Sequence, residues 1–172
     1  MNKAAVLVAS IMAMNSSVVV ADQKCDLGAQ ETAPAKYFKN NADGTITDTR
    51  SKLVWRACIA GMSWNGQQCE GTSQTFNYSM AGITIDELNE ARDSGRNDWR
   101  LPTREELDTL VEQRCYRPAI NLNVFSFSPE SGFWTHSAGD KDNRVWVVHF
   151  LHGGAYIANK NQDWRLRPVA GR

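Results

Sequence analysis

The chain has 172 residues, with 19 Lys and Arg against 19 Asp and Glu, so its formal net charge is zero, and 42% of it is hydrophobic. Balanced charge excludes the strong positive field by which nucleic-acid binders gather phosphate. The length suits one domain with a proper core rather than two, and no apolar run after the N-terminal region is long enough to span a bilayer.

At the N-terminus, Lys3 precedes an apolar run from Ala4 to Val20 that Asn15, Ser16 and Ser17 interrupt, and Val19-Val20-Ala21 offers small residues before Asp22. This pattern predicts a signal peptide over residues 1–21 and a periplasmic, secreted or cell-surface protein. An uncleaved anchor is the alternative, opposed by the shortness and polar middle of the run. Cys25 follows Asp22-Gln23-Lys24 rather than a lipobox, so lipidation is not expected. Residues 22–36 are polar, with Cys25 as their one obvious tether, and are expected to wrap over the surface of a domain spanning 37–172.

Tyr37-Phe38, Thr45-Ile46-Thr47-Asp48 and Leu53-Val54-Trp55-Arg56 read as strands separated by turns at Asp43-Gly44 and Thr49-Arg50-Ser51. A calcium loop at Asn41-Ala42-Asp43-Gly44 fails because Lys39 and Arg50 stand where such a loop needs carboxylates. Four cysteines in an exported chain read as two disulfides. Cys58 and Cys69 flank a segment whose two glycines let it turn back, which makes them the first choice of pair and leaves Cys25 with Cys115. A zinc site is opposed by the absence of any Cys-x-x-Cys spacing.

Thr84-Ile85-Asp86-Glu87 has the form of a capping box, and Gly95 can end a helix, so a helix is expected from about Asp86 to Ser94, with an earlier turn upstream. Trp99 in the following loop is expected to plug the core. Pro102 disfavours helical geometry at Leu101, Thr103 can cap, and Glu106 completes a second capping box before Leu107, Leu110 and Val111. This predicts a helix from about Thr103 to Gln113.

The last third reads as strands: Phe133-Trp134-Thr135-His136, then Arg144 to Phe150, a hairpin turn at His152-Gly153-Gly154, and Ala155 to Asn159 pairing back. Trp164 to Val169 is expected to close the sheet with Arg165 and Arg167 on one face. Helices early and strands late predict an α+β fold with two short helices and a mainly antiparallel twisted sheet.

Asp98-Trp99-Arg100-Leu101-Pro102-Thr103 with Glu106-Leu107 is supported in order by Asp43-Gly44-Thr45-Ile46-Thr47-Asp48, Leu53-Val54-Trp55, Cys58 with Cys69-Glu70-Gly71, Arg114-Cys115-Tyr116-Arg117-Pro118-Ala119-Ile120-Asn121, Phe133-Trp134-Thr135 and Val145-Trp146-Val147-Val148. Together these pieces resemble the Lcl C-terminal domain family, a bacterial exported group, from about Phe38 to Val169. The resemblance implies a C-type lectin-like fold, export and a tendency toward glycan adhesion. Arg100-Leu101-Pro102-Thr103 with its following Glu also resembles the formylglycine-generating enzyme superfamily. That chemistry needs reactive thiols late in the chain, and no cysteine follows Cys115, so its catalytic residues are not carried over.

No Gly-x-Ser-x-Gly elbow accompanies His136, His149 and His152. The carboxylates Glu105, Glu106 and Asp108, like Asp86, Glu87 and Glu90, are explained by helix starts, although a glycosidase pair would use the same residue types. Asp140, Asp142 and Asn143 could offer oxygens to calcium, but Lys141 stands among them, and a polar turn explains them as well. No cofactor is expected.

Trp134, Trp146 and Tyr156 could give flat faces to sugar rings, while His136, Asn143, His152, Asn159, Lys160, Asn161 and Arg165 could donate to hydroxyl or sulfate oxygens. Against this, most of six tryptophans in such a chain belong to the core. Lys160, Arg165 and Arg167 against Asp163 make the tail locally basic and tilt the expectation toward anionic sugars. The expected function is a non-catalytic exported module binding a glycan or sulfated polysaccharide. The alternatives are an accessory component of a surface assembly binding a protein partner and, third, an enzyme. Self-association is its internal route to avidity.

Overall fold

The computed structural model describes residues 23–171. The signal peptide expected over 1–21 lies outside the described residues. In chain order the strands are β1 (Lys24–Cys25), β2 (Phe38–Asn40), β3 (Thr45–Asp48), β4 (Val54–Arg56), β5 (Met62–Trp64), β6 (Cys69–Gly71), β7 (Cys115–Tyr116), β8 (Gly132–Ala138), β9 (Arg144–His149), β10 (Gly154–Asn159) and β11 (Val169–Ala170). Helices α1 (Tyr78–Glu90) and α2 (Arg104–Asp108) lie between β6 and β7. The fold is α+β, with two helices, antiparallel pairing between the strands and two disulfides.

Instead of one sheet closed by the C-terminus there are separate sheets ordered β11-β4-β3-β2 and β10-β9-β8, with small ladders β5-β6 and β1-β7. The segment expected to run as a strand from Trp164 to Val169 laces the two larger sheets together. Trp134 N–H donates to Arg165 O (3.0 Å) and Arg165 N–H to Gly132 O (3.0 Å), while Arg56 N–H donates to Pro168 O (3.0 Å) before β11 pairs with β4. Gly132 permits this approach, because a Cβ there would stand 2.7 Å from the Trp164 ring.

Thr103 caps α2 as its sequence predicts, with Glu106 N–H donating to Thr103 Oγ1 and Thr103 N–H to the Glu106 carboxylate. The helix is shorter than its apolar spacing suggests, because Val111 leaves it to bridge with Ile120. Helix α1 begins earlier than expected. Its cap is Asn77, whose Oδ1 accepts from Met80 N–H (2.9 Å), and Thr84 stands inside the helix, where no cap is needed. Continuous packing of Ala81 and Ile85 outweighs the modest cost of Gly82.

The main core joins Trp55, Ile59, Leu107, Leu110, Phe125, Phe133, Val148 and Phe150, each contributing about 1.5–3 kcal/mol by burial. Trp99 is buried against Ile85 and Ala170, and its Nε1–H donates to Asp93 O (3.0 Å). Cys58–Cys69 and Cys25–Cys115 are bonded, at sequence separations of 11 and 90. Loop closure makes them worth about 3 and about 4–5 kcal/mol.

The N-terminal segment is held more closely than one cysteine would allow. The buried Glu112 carboxylate accepts from Ala33 N–H (2.9 Å) and Thr32 N–H (3.1 Å), and Gln23 Nε2 donates to Pro118 O and Ile120 O.

Arg167 corrects the expectation of an exposed basic face. It is buried between the sheets, donating to Ala57 O (3.0 Å) and Ser128 Oγ (2.6 Å) with its guanidinium 4.7 Å from the Phe125 ring centre. Burial, with the nearby Arg56 charge, lowers its pKa to about 9, so it stays charged at neutral pH.

Candidate functional site

The register of β8, β9 and β10 decides which side chains can meet. Tyr156 pairs with Val147, which pairs with Trp134, and Ala158 pairs with Val145, so these share one face, on which Trp134, Val145, Val147 and Ala158 pack with Ala81 and Tyr78 of α1. Trp146 pairs with Ile157 and belongs to the opposite face, where the Arg104 guanidinium of α2 lies 4.3 Å from its ring centre. Trp146 and Tyr156 therefore cannot form one aromatic platform.

Trp134 offers no face to a ligand. It is wholly buried, its Nε1–H donates to Phe76 O (2.7 Å), and Tyr78 meets it edge-on at 5.4 Å. Arg165 is also committed, donating to Ser73 O (2.9 Å) and Ser73 Oγ (2.7 Å).

At one end of this sheet is an open polar cleft of about 400 Å³, formed by Tyr78, His136, the 138–142 turn, Arg144, Val145 and Lys160. A register shift in β8 between Trp134 and Ala138 shapes its wall. There His136 N–H donates to Pro102 O (2.8 Å) and Arg104 N–H donates to Ser137 Oγ (2.9 Å), so the bulge fastens the loop before α2 and leaves the His136 side chain exposed. The far wall comes from the end of β10. Lys160 N–H donates to Asn143 O (2.9 Å), and Lys160 O accepts from Tyr78 N–H (3.0 Å), satisfying one of the open donors at the start of α1. The Lys160 ammonium lies 5.2 Å from the Tyr78 ring centre.

Three cations, Lys141, Arg144 and Lys160, face two carboxylates, Asp140 and Asp142. Arg144 is paired with Asp140 at 3.0 Å, which leaves Lys141, Lys160 and Asp142 as the charges open to an incoming group. Burial raises the Tyr78 phenol above its ordinary value and keeps it a neutral donor. Such an arrangement can hydrogen-bond a polyhydroxylated or anionic ligand. Among the described residues, no three His, Cys, Asp or Glu side chains are grouped to hold a metal ion.

A second, mainly apolar pocket of about 240 Å³ lies at the other end of β10, lined by His149, Leu151, His152, Gly154, Ala155 and Tyr156. His149 Nδ1 accepts from Leu151 N–H (3.1 Å), and Trp164 stands edge-on to both His149 and Tyr156. Burial, aided by the His152 charge, lowers the His149 pKa. Of the residues named from sequence, His136 and Lys160 meet in the polar cleft, with Asn143 beside it, and His152 and Tyr156 meet in the apolar pocket.

Sequence reasoning did not assign Tyr78 or Arg144 to the cleft, and it named Lys141 only as an obstacle to calcium and His149 only as a histidine without a nucleophile elbow. For Tyr78 the available signal was Asn77, a good cap that would have put a helix start there. Of the α2 carboxylates, Glu106 is held by Arg100 in a bidentate grip, and Asp108 is approached by Arg104 at 3.4 Å.

No curated protein matches this chain. The profile of the Lcl C-terminal domain matches residues 44–170, from the β2–β3 turn to β11. That span includes the polar cleft, the apolar pocket and the Arg100–Glu106 pair, and the chain belongs to the Lcl C-terminal domain family.

Proposed function

We propose that this protein is an exported, non-catalytic binding module whose polar cleft takes a glycan, with anionic sugars such as sulfated polysaccharides preferred. The carrying observation is the clustering of Lys141, Lys160, His136 and the Tyr78 phenol around one open cleft supplied by separate chain segments. Hydroxyl and sulfate oxygens are the groups such donors recognise. The paired cysteines suit an oxidising compartment, the periplasm or cell surface, in keeping with the apolar N-terminal run.

The test is a glycan array probed with the oxidised protein, including sulfated polysaccharides, with and without calcium and over a range of salt. Saturable binding that weakens with salt, and falls about tenfold in Lys160→Ala, is expected. A folded protein that binds no glycan would overturn the reading. It would favour a second one, an accessory component of a surface assembly that docks a protein partner. The observation behind that alternative is the apolar pair Met80 and Ile83 on α1, 44% and 45% exposed.

A further inference from the structure

We propose that β10 is a self-association edge: two copies pair their Gly154–Asn159 strands antiparallel about a two-fold axis at Tyr156, joining two three-stranded sheets into one of six strands. β10 ends the sheet β10-β9-β8, and among the described residues no strand pairs with its outer side. The Lys160 N–H to Asn143 O bond, in the register that sets Ala158 against Val145 and Tyr156 against Val147, identifies which backbone groups turn toward β9. By alternation, those of Ala155, Ile157 and Asn159 turn outward.

Natural edge strands are ordinarily blunted by charge, proline or a bulge, because an open row of backbone donors and acceptors invites another strand. Within the strand itself none of those protections appears. Gly154-Ala155-Tyr156-Ile157-Ala158-Asn159 contains no charged residue and no proline, and its register with β9 is unbroken. Among the described residues, its far end is covered where Asn159 N–H donates to Gln162 Oε1 (3.0 Å), and Arg144 Nη2 reaches Ile157 O at a long 3.4 Å, which leaves that carbonyl a second lone pair. The Ala155 and Ile157 N–H groups and the Ala155 carbonyl stay open.

The composition favours a second copy over a different partner. With the axis at Tyr156, Ala155 meets the partner's Ile157 in a pair that can exchange both backbone hydrogen bonds, and Gly154 meets the partner's Ala158. No like charges are brought together within the paired segment. Gly154 and Ala158 share the face of Tyr156 and flank it with little bulk, leaving room for two tyrosine rings at the axis. The apolar pocket beside Tyr156 would be covered by the same association.

Sedimentation equilibrium of the oxidised protein from about 1 to several hundred micromolar is the test, and a reversible dimer is expected. Ile157→Pro removes an outward N–H that β9 does not use, and Tyr156→Lys sets two ammonium groups opposite each other. Each should raise the dimer dissociation constant about tenfold or more. Lys160→Ala, which tests the cleft, should leave the dimer unchanged, so failure of the glycan reading and failure of this one are distinguishable. Hydrogen exchange of the unsubstituted protein gives a readout free of folding defects: protection of the Ala155 and Ile157 amides should rise with concentration. A monomer throughout, which would leave the edge to an extended segment of another protein, overturns the proposal, as does a dimer that both substitutions leave intact.

Discussion

Arg100 grips Glu106 with two parallel hydrogen bonds, Nη1 to Oε2 and Nη2 to Oε1, both 2.7 Å. Glu106 Oε2 also accepts from Thr103 N–H (2.8 Å), and Arg100 Nη2 also donates to Gly171 O (3.0 Å). One ion pair thus ties the start of α2 to the chain leaving β11. Arg100, by its hydrogen bonds, holds the Glu106 carboxyl below the usual carboxylate range.

Arg100→Ala should cost about 1–3 kcal/mol, since the cap and Gly171 O lose a charged donor in a partly buried place. Because the folded Glu106 pKa is depressed, its contribution is complete above the unfolded value near 4.3 and disappears as pH falls through the lower folded value. Urea melts between about pH 6 and pH 3 check this. The acid loss should shrink in Glu106→Gln, and an unchanged acid limb would contradict the assignment.

Glu112 offers a sharper case of burial. Its carboxylate is 2% exposed and accepts from the backbone of Thr32, Ala33 and Arg114. Glu112→Ala removes those acceptors together and should destabilise by about 2–4 kcal/mol. Hydrogen exchange should show the Thr32 and Ala33 amides losing protection first. Uniform loss across the domain would mean that the segment is no separate unit.

The hairpin joining β9 to β10 should respond to mild acid. His149 Nδ1 is an acceptor for Leu151 N–H, a role it loses on protonation, and the neighbouring His152 and Tyr156 flank the same pocket. Burial, then the His152 charge, places the folded His149 pKa below its ordinary value of 6.5. A depressed histidine favours the neutral form in the fold, so stability is complete above about pH 7 and falls as pH drops from the unfolded value through the lower folded one. Thermal melts across that range should slope in the unsubstituted protein and flatten in His149→Phe. An equal slope in both would remove His149 as the cause.

The local features were legible because neighbouring residues decide them. Thr103 and Glu106 form a capping box within one turn, and His152-Gly153-Gly154 announces the β9–β10 hairpin. Gly153 is needed there, since its φ is +73° and a Cβ would collide with Val111 Cγ1. The Cys58–Cys69 pairing was likewise readable, a short segment with glycines closing on itself.

The long-range outcomes were not legible. Trp134, Trp146 and Tyr156 look alike as exposed aromatic candidates in a linear reading. One is buried, one lies under Arg104 and one stands at a free edge, because a pleated sheet alternates faces and only its register and covering helices assign them. Arg167 alternates with Leu166 as a surface residue would, yet carbonyl oxygens and Phe125 from distant segments make its burial tolerable. Sequence by itself determined the Thr103 cap, the turn at His152-Gly153-Gly154, the short Cys58–Cys69 pair and the α+β class, all set by spacing along the chain, whereas it placed the α1 cap at Thr84 instead of Asn77. The tertiary structure alone decided which residues form the cleft, since Tyr78, His136 and Lys160 meet only when α1, the β8 bulge and the end of β10 are packed together.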